Sequence, residues 1–141
     1  MIGSYLMKLS TYLWGVSWSW QELRSAFQAA EALGFSAAYI MDNIVGPKPG
    51  PAEASVFDAW TVLPALACET TRIGLGTMVT PVGRRHPSMF AKSVAVTDQI
   101  SGGRISVGLG PGDEDRHFLH GGWNFRRRRC ESNDCAKISR S

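Results

Sequence analysis

Short apolar runs alternate along this chain with longer stretches whose apolar residues recur every three or four positions. The short runs are typical of strands that are buried on both faces, and the longer spacing is typical of amphipathic helices. The resulting order is β-α-β-α-β-α-β, which predicts parallel strands joined by right-handed crossovers. The four predicted strands are Tyr5–Leu13, Ala37–Met41, Ile73–Val79 and Ile105–Leu109.

The first two helical stretches have recognisable ends. The capping box Ser19–Glu22 begins the first, because the serine hydroxyl and the glutamate carboxylate can each accept a backbone N–H hydrogen bond there. Gly34 suits the left-handed position that follows a helix. The second stretch has a possible cap in Ser55–Asp58 and an interior Pro64, so it either kinks at the proline or becomes regular only near Thr61.

The third helical stretch begins near Pro87 and ends at the turn Ser101–Gly103. Proline suits a first helical turn because its missing N–H has no helical partner there. Each of the three helices should bury one face against the sheet. The residues predicted for these faces are Leu23, Ala26, Phe27, Ala30, Leu33, Trp60, Leu63, Leu66, Ala67, Met89, Phe90, Val94, Thr97 and Ile100.

Two α/β architectures begin with this order of elements, the eight-stranded barrel and the open doubly wound sheet. The doubly wound sheet places a glycine-rich phosphate loop directly after its first strand, where Trp14–Trp18 has no such pattern. The glycines of Gly108–Gly112 follow the fourth strand at the wrong spacing. The pattern therefore favours the barrel, and the 141 residues correspond to the N-terminal half of a (β/α)8 barrel of about 250 residues.

Charge separates the C-terminal residues from the rest of the chain. Residues 1–125 hold 9 Lys and Arg against 10 Asp and Glu, whereas residues 126–141 hold 6 against 2. Because residues 126–141 also lack apolar periodicity, we predict a disordered basic tail after a barrel domain of residues 1–125. The arginines Arg126–Arg129 could contact phosphates, but a solvated tail needs no partner, so nucleic-acid binding is not expected.

Hydropathy and cysteine content indicate the cellular compartment in which the protein is expected. No apolar run approaches the roughly 20 residues of a membrane span, and three cysteines are too few for a disulfide framework. Both features favour a reducing cytoplasm and no membrane partner. The four residues His117, His120, Cys130 and Cys135 could bind zinc in principle, but their spacing matches no standard zinc site, so no metal is predicted.

Several ordered motifs resemble the bacterial luciferase-like family, and together they cover about residues 5–118. The resemblance implies an oxidoreductase on an α/β barrel that uses FMN or the deazaflavin coenzyme F420 and acts on a small organic substrate. Many members of the family are monooxygenases. The motifs are Ala29–Phe35, Asp42, Phe57–Thr61, Leu66–Ala67, Thr70–Thr77, His86–Pro87, Ser101–Arg104 and Gly108–Gly110.

The resemblance places the cofactor ring at the C-terminal ends of the strands, where barrel enzymes have their active sites. It implies that the backbone around Thr77–Val79 lies against the ring, at a position where relatives often have a cis peptide bond without proline. The alternative for Met78 and Val79 is ordinary strand core, and for Asp42 it is capping of the next turn. The predicted cofactor-binding residues are Asp42, Thr77, Met78, Val79, Gly110, Gly112 and Asp113.

No catalytic acid or base is predicted. Some deazaflavin-dependent relatives have a histidine base directly after the strand-two aspartate, whereas this chain has Asn43, which has no usable pKa for proton transfer. An acidic residue that follows the fourth-strand glycines in those relatives fits Asp113 or Glu114, although a repulsive solvated surface describes these residues equally well. A flavin-dependent monooxygenase is therefore predicted first, and an F420-dependent dehydrogenase or reductase is the alternative.

The resemblance ends before the C-terminus. Relatives continue for four more βα units, whereas Trp123–Ser141 resembles nothing in the family, so we expect a truncated or frame-shifted reading frame. A different class of function stays open, that of a non-catalytic half-barrel that self-associates. In either case we expect the strand edges to be covered by self-association or by a complementary half-barrel, and flavin binding by a single chain to be weak.

Overall fold

The computed structural model describes residues 7–46 and 54–112. These residues form one sheet whose four strands lie side by side in chain order, and all three neighbouring pairs are parallel. The predicted order and direction of the strands are therefore confirmed. The elements are β1 Ser10–Leu13, α1 Trp20–Ala32, β2 Ala37–Ile40, α2 Ala59–Glu69, β3 Gly74–Pro81, α3 Pro87–Ser101 and β4 Ile105–Gly110.

The core lies between the sheet and the helices. Because strand residues alternate between two faces, Ala38, Ile40 and Leu75 point together at the helices and are almost fully buried. α1 contacts α2, and α2 contacts α3, so the described helices form one layer. The opposite face carries Tyr12 and Tyr39, which are paired in register and only half-buried.

β1 is shorter than predicted. Only Ser10–Leu13 pair with β2, whereas Met7 and Leu9 are 78% and 55% exposed and form no strand pairing. The predicted strand therefore starts too early, and its first residues lie outside the described part of the chain. The other three strands begin and end within two residues of their predicted bounds.

The ends of α1 are those that the sequence predicts. The Ser19 hydroxyl accepts a hydrogen bond from the Glu22 N–H at 3.3 Å, and the Glu22 carboxylate accepts one from the Ser19 N–H at 2.7 Å. At the other end Gly34 has a φ of +82°, and the N–H groups of Gly34 and Phe35 donate back to carbonyls of the last helical turn. This motif ends the helix and turns the chain into β2.

The ends of α2 and α3 resolve what the sequence left open. Asp58 is the N-cap of α2, and its carboxylate accepts from the Thr61 N–H at 2.9 Å. The helix therefore begins before Thr61 and continues through Pro64. α3 begins at Pro87 as predicted.

Three residues predicted for the buried helix faces are exposed instead. Leu33 is 78% exposed because it is the C-cap of α1, beyond the last helical turn. Met89 and Ile100 are 66% and 47% exposed, because they lie about a quarter turn around α3 from its buried face. That face consists of Phe90, Val94, Thr97 and Ser101.

Two side chains fix the edge of the sheet at which the strands begin. The carboxylate of Glu31, on α1, accepts hydrogen bonds from three consecutive backbone N–H groups, those of Thr71, Arg72 and Ile73, at distances of 2.5 to 2.9 Å. The guanidinium of Arg104 donates to four backbone carbonyls and one hydroxyl. Its acceptors are the carbonyls of Ala67, Thr70, Ile73 and Ser101 and the hydroxyl of Thr70.

Replacing Glu31 with glutamine is expected to lower the free energy of unfolding by about 1–2 kcal/mol at pH 7, because charge-assisted hydrogen bonds are lost. Burial alone would raise the pKa of Glu31, but the three N–H donors outweigh it and hold that pKa below its usual range. The carboxylate therefore stabilises the fold above the unfolded-state pKa, and this contribution is lost as the pH falls through the folded-state pKa.

Urea unfolding of both proteins at pH 7 and at about pH 3 measures this effect, and the difference between them should shrink at the lower pH. Glu69→Gln is the matched control, since Glu69 makes an ion pair with the exposed Arg24 and should cost about 0.5 kcal/mol or less. An equal loss in the two variants would contradict the role of Glu31.

Some predictions concern residues outside the described part of the chain, and they stay predictions. They include the boundary between residues 1–125 and the basic tail 126–141, and the loop residues 47–53. The candidate side chains among them are Asp113, Glu114, His117, His120, Cys130 and Cys135. Across residues 7–46 and 54–112, every helix is too short or too polar to cross a membrane.

Candidate functional site

The C-terminal ends of the four strands lie next to one another. Parallel register aligns Leu13 with Ile40, Ile40 with Thr77, and Thr77 with Val107. The residues that follow these positions therefore meet along one edge of the sheet. This edge, which we call the upper edge, carries every predicted site residue that the structure describes: Asp42, Thr77, Met78, Val79, Gly110 and Gly112.

The upper edge has an open apolar surface. Trp14 and Met78 are 50% and 52% exposed, and Val79 is 41% exposed. The ring of Tyr12 packs edge-on against Trp14 with centroids 5.9 Å apart, and burial raises the pKa of the Tyr12 phenol. Met78 and Val79 are therefore not strand core, which was the alternative left open by the sequence.

The peptide bond between Met78 and Val79 is cis, as the family resemblance implied. On either side of it Thr77 and Thr80 are buried and joined by hydrogen bonds. The indole N–H of Trp60 donates to the Thr80 hydroxyl at 2.9 Å, which donates to the Thr77 hydroxyl at 3.1 Å. Thr77 in turn donates to the Gly108 carbonyl at 3.2 Å, so this chain of bonds ties the cis-linked part of β3 to α2 on one side and to β4 on the other.

Glycines in β4 make room for the Met78–Val79 segment of β3. The Val79 side chain lies over Gly108 and Gly110, where a Cβ atom on either residue would press into it. A Cβ on Gly108 would also collide with the backbone carbonyl of Thr77. No side chain therefore projects from this part of the upper edge at Gly108, Gly110 or Gly112. Gly112 also has a positive φ of +80°, which glycine adopts readily.

Asp42 is fully buried at the end of β2 and lies between two arginines that follow β3. The Arg85 guanidinium donates to both of its carboxylate oxygens, at 2.5 and 3.1 Å, and Arg84 approaches one of them at 3.1 Å. Arg85 also bonds Asp58, the N-cap of α2. These four residues, the Asp42 cluster, join β2, the loop after β3 and the start of α2.

The Asp42 cluster contains two carboxylates and two guanidiniums, so its positive and negative charges are equal in number. Burial lowers the pKa of Arg84, and its two terminal nitrogens form no hydrogen bond that meets normal geometry, although Asp42 lies close. For Arg85 burial acts in the same direction, but the hydrogen bond and charge of Asp42 outweigh it and raise the pKa. Arginine keeps its charge in proteins, and the Asp42 carboxylate lies against both guanidiniums as their shared counterion.

The sequence analysis named Asp42 and Thr77 but missed the residues that hold their side chains in place. Arg84, Arg85, Trp60 and Thr80 were not predicted as part of the site. One signal was available: two basic residues follow a buried strand whose parallel neighbour ends in an aspartate. Asn43 is half-buried beside Asp42, and the structure describes no histidine there.

The upper edge fits a planar aromatic ring. Exposed Trp14, Met78 and Val79 supply apolar contact, and the glycines of β4 leave no side chain that would stand in the way of a flat group. Within residues 7–46 and 54–112 there is no group of three or more potential metal ligands. The arrangement can thus hold and orient a ring, and the described side chains include no pair suited to acid–base catalysis.

Comparison with known proteins identifies the family of this chain. The family model described as luciferase-like monooxygenase matches residues 7–141. The 5,10-methylenetetrahydromethanopterin reductase of Methanopyrus kandleri is 36% identical over 87 residues, which are 62% of this chain and 22% of the reductase. The chain thus spans less than a quarter of this relative.

Two solved structures show the same fold. The coenzyme F420-dependent tetrahydromethanopterin reductase of Methanopyrus kandleri superposes with a TM-score of 0.68 and 30% identity, over 84% of this chain and 30% of that one. The oxygenating constituent of 3,6-diketocamphane monooxygenase from Pseudomonas putida, in complex with FMN, superposes with a TM-score of 0.65 at 18% identity. That match covers 84% of this chain and 33% of the monooxygenase, and at this identity it bears on the fold alone. Both matches confirm that the chain has the fold of half an α/β barrel.

Proposed function

We propose that the upper edge binds the ring of coenzyme F420 or FMN for redox chemistry on a small organic substrate, since this chain belongs to the luciferase-like monooxygenase family. The observation that supports this most directly is the exposed pair Met78 and Val79 beside the glycines of β4. Apolar side chains that stay exposed at the site end of a barrel are suited to stacking against a flat ring.

The residues of this chain would hold the ring in place and shield one face of it. Met78, Val79 and Trp14 supply the apolar contact, while Gly110 and Gly112 let the backbone approach closely. Asp42 is not free to contact the ring, because its carboxylate oxygens already accept hydrogen bonds from Arg85. Its role is to position the loop after β3. The bound cofactor would supply the hydride or electron transfer itself.

F420 is the first cofactor to test. The Methanopyrus kandleri structure, which is 30% identical, is named as F420-dependent, whereas the FMN-bound structure shares 18% identity and supports the fold alone. FMN is the second candidate, because the two rings have nearly the same shape. Asp113, which lies outside the described residues, is proposed as a polar contact for either ring, and a cytoplasmic location is part of the same proposal.

Gly108→Ala tests the proposal. The added Cβ collides with the Thr77 carbonyl and the Val79 side chain, so the Met78–Val79 segment of β3 must move. We expect binding of F420 or FMN, measured by the fluorescence of the ring, to weaken by about tenfold or more relative to the natural chain.

The matched control is Gly74→Ala, at the other end of the neighbouring strand. Its Cβ would lie 3.1 Å from Ala37 and Ser36, a tight contact far from the upper edge, so ring binding should be nearly unchanged. Circular dichroism of both variants shows whether the sheet is intact. Equal affinities in the three folded proteins would contradict the proposed ring site.

A further inference from the structure

Two residues of the proposed ring site lie outside the strand pairing of the sheet. Pairing of β3 with β2 ends at Thr77, and pairing of β3 with β4 breaks off at Thr77 and resumes at Thr80. Met78 and Val79 therefore pair with neither neighbouring strand in the described sheet. A bulge of this kind redirects the side chains that it carries, and such bulges are common next to active sites. Contacts other than strand pairing must hold these two side chains at the upper edge.

The hydroxyl groups of Thr77 and Thr80 bridge this break in the pairing. The Thr80 hydroxyl donates to the Thr77 hydroxyl at 3.1 Å, which joins the two ends of the bulged segment directly. Both threonines are buried, at 1% and 2% exposure, so their hydrogen bonds are protected from competing water. Because a hydroxyl has one proton to donate, Thr77 uses its own for the Gly108 carbonyl of β4. The two hydroxyls thus hold the bulged segment against β4.

Trp60 sets the direction of this chain of bonds. Its indole N–H can donate but not accept, and it donates to the Thr80 hydroxyl at 2.9 Å. Thr80 therefore accepts from Trp60 and gives its own proton to Thr77. The indole is buried and packs edge-on against Phe90 of α3, with ring centroids 5.1 Å apart. The donor at the start of the chain of bonds is thus held by contacts from two helices.

We propose that Trp60 and Thr80 are positioning residues of the ring site, whose hydrogen bonds hold Met78 and Val79 in the orientation that contacts the cofactor ring. Both side chains are buried, so they act through Met78 and Val79 rather than by touching the ring. This inference rests on the proposed function of the upper edge. It adds that the affinity for the ring depends on a hydroxyl group that lies beneath the exposed surface.

Thr80→Val tests the central hydroxyl, since valine keeps the branched shape of the side chain. We expect F420 and FMN to bind about fivefold or more weakly, measured by ring fluorescence, because Met78 and Val79 are no longer held in one orientation. Thr80→Ser keeps the hydroxyl and should bind the ring within about twofold of the natural chain. The matched control is Thr97→Val. Thr97 is equally buried, at 2%, but its hydroxyl bonds Ser93 within α3, so this variant should lose stability without losing affinity.

Trp60→Phe tests the start of the chain of bonds, because phenylalanine keeps an aromatic ring against Phe90 but has no N–H to donate. It should weaken ring binding by about threefold or more. If Trp60 acts through Thr80, the same replacement in the Thr80→Val protein should weaken binding by less than about twofold further. Losses that multiply in the double variant would overturn the proposal. If Thr80→Val does not fold, Trp60→Phe decides alone, and an unchanged affinity would overturn the proposal.

A measurement without cofactor separates this inference from the ring site itself. In the cofactor-free chain labelled at its methionine methyl groups, Thr80→Val should move the Met78 signal, whereas Thr80→Ser and Thr97→Val should leave it in place. An unmoved Met78 signal in Thr80→Val would overturn the positioning role, whether or not a ring binds. A moved signal in a chain that binds neither F420 nor FMN would overturn the ring site and leave the positioning of Met78 standing. Equal losses of affinity in Thr80→Val and Thr97→Val would show a general structural effect and would also overturn the proposal.

Discussion

Replacing Asp42 with asparagine is expected to lower the free energy of unfolding by about 3–5 kcal/mol. Asp42 is fully buried, and it is the shared counterion of Arg84 and Arg85, whose side chains are only 3% and 20% exposed. Asparagine has a similar shape but no charge, so two guanidiniums would remain in the interior without their main counterion. Such uncompensated buried charge is far more destabilising than a broken surface pair.

Urea unfolding at fixed protein concentration measures this loss, and Asp58→Asn is the matched control. Asp58 also bonds Arg85, but it is 47% exposed, and asparagine is as good an N-cap as aspartate. We therefore expect the control to cost about 1 kcal/mol or less. A loss below about 1 kcal/mol for Asp42→Asn would mean that water, rather than Asp42, compensates the two arginines.

Replacing Arg104 with methionine is expected to lower the free energy of unfolding by about 3–4 kcal/mol. Methionine replaces the apolar stem of the side chain but removes the guanidinium and its hydrogen bonds to the carbonyls of Ala67, Thr70, Ile73 and Ser101. Each charge-assisted bond contributes about 1.5–3 kcal/mol, and bonds from one group do not simply add. The loss should appear in thermal and urea unfolding alike.

Arg24→Met is the control for Arg104. Arg24 makes an ion pair with Glu69, and its side chain is 44% exposed, so its replacement should cost about 1 kcal/mol or less. Because Arg104 lies at the edge where the strands begin, its replacement should leave ring affinity of the folded protein unchanged. A variant as stable as the natural chain would show that the carbonyls find other donors.

The order of elements was predictable because it depends on local periodicity. The alternation of apolar runs and helical spacing gave four parallel strands in chain order, and short-range signals such as Ser19–Glu22 and Gly34 located helix ends correctly. The residues at the margins of the buried helix faces were predicted less accurately. Leu33 and Met89 are exposed because an apolar residue near a helix end, or a quarter turn from its buried face, matches the spacing almost as well as a buried one.

The site was predictable only in part, because its contacts join distant parts of the chain. Asp42 and Arg85 are 43 residues apart in sequence, and no periodicity links them. The hydrogen bonds from Trp60 through Thr80 to Thr77 likewise join α2 to β3. Family resemblance indicated the cis-linked Met78–Val79 pair, which physical patterning alone presented as ordinary strand.

The most direct test of the ring site is methyl NMR of the chain labelled at its methionines, during titration with F420 and then with FMN. Met78 lies on the upper edge and is 52% exposed, whereas Met89, on α3, is 66% exposed and serves as an internal control. Substituting each methionine by leucine assigns the two signals. The account predicts a progressive, saturable shift of the Met78 methyl signal while that of Met89 stays in place. Equal shifts of both signals, or no shift of Met78 at saturating cofactor, would contradict it.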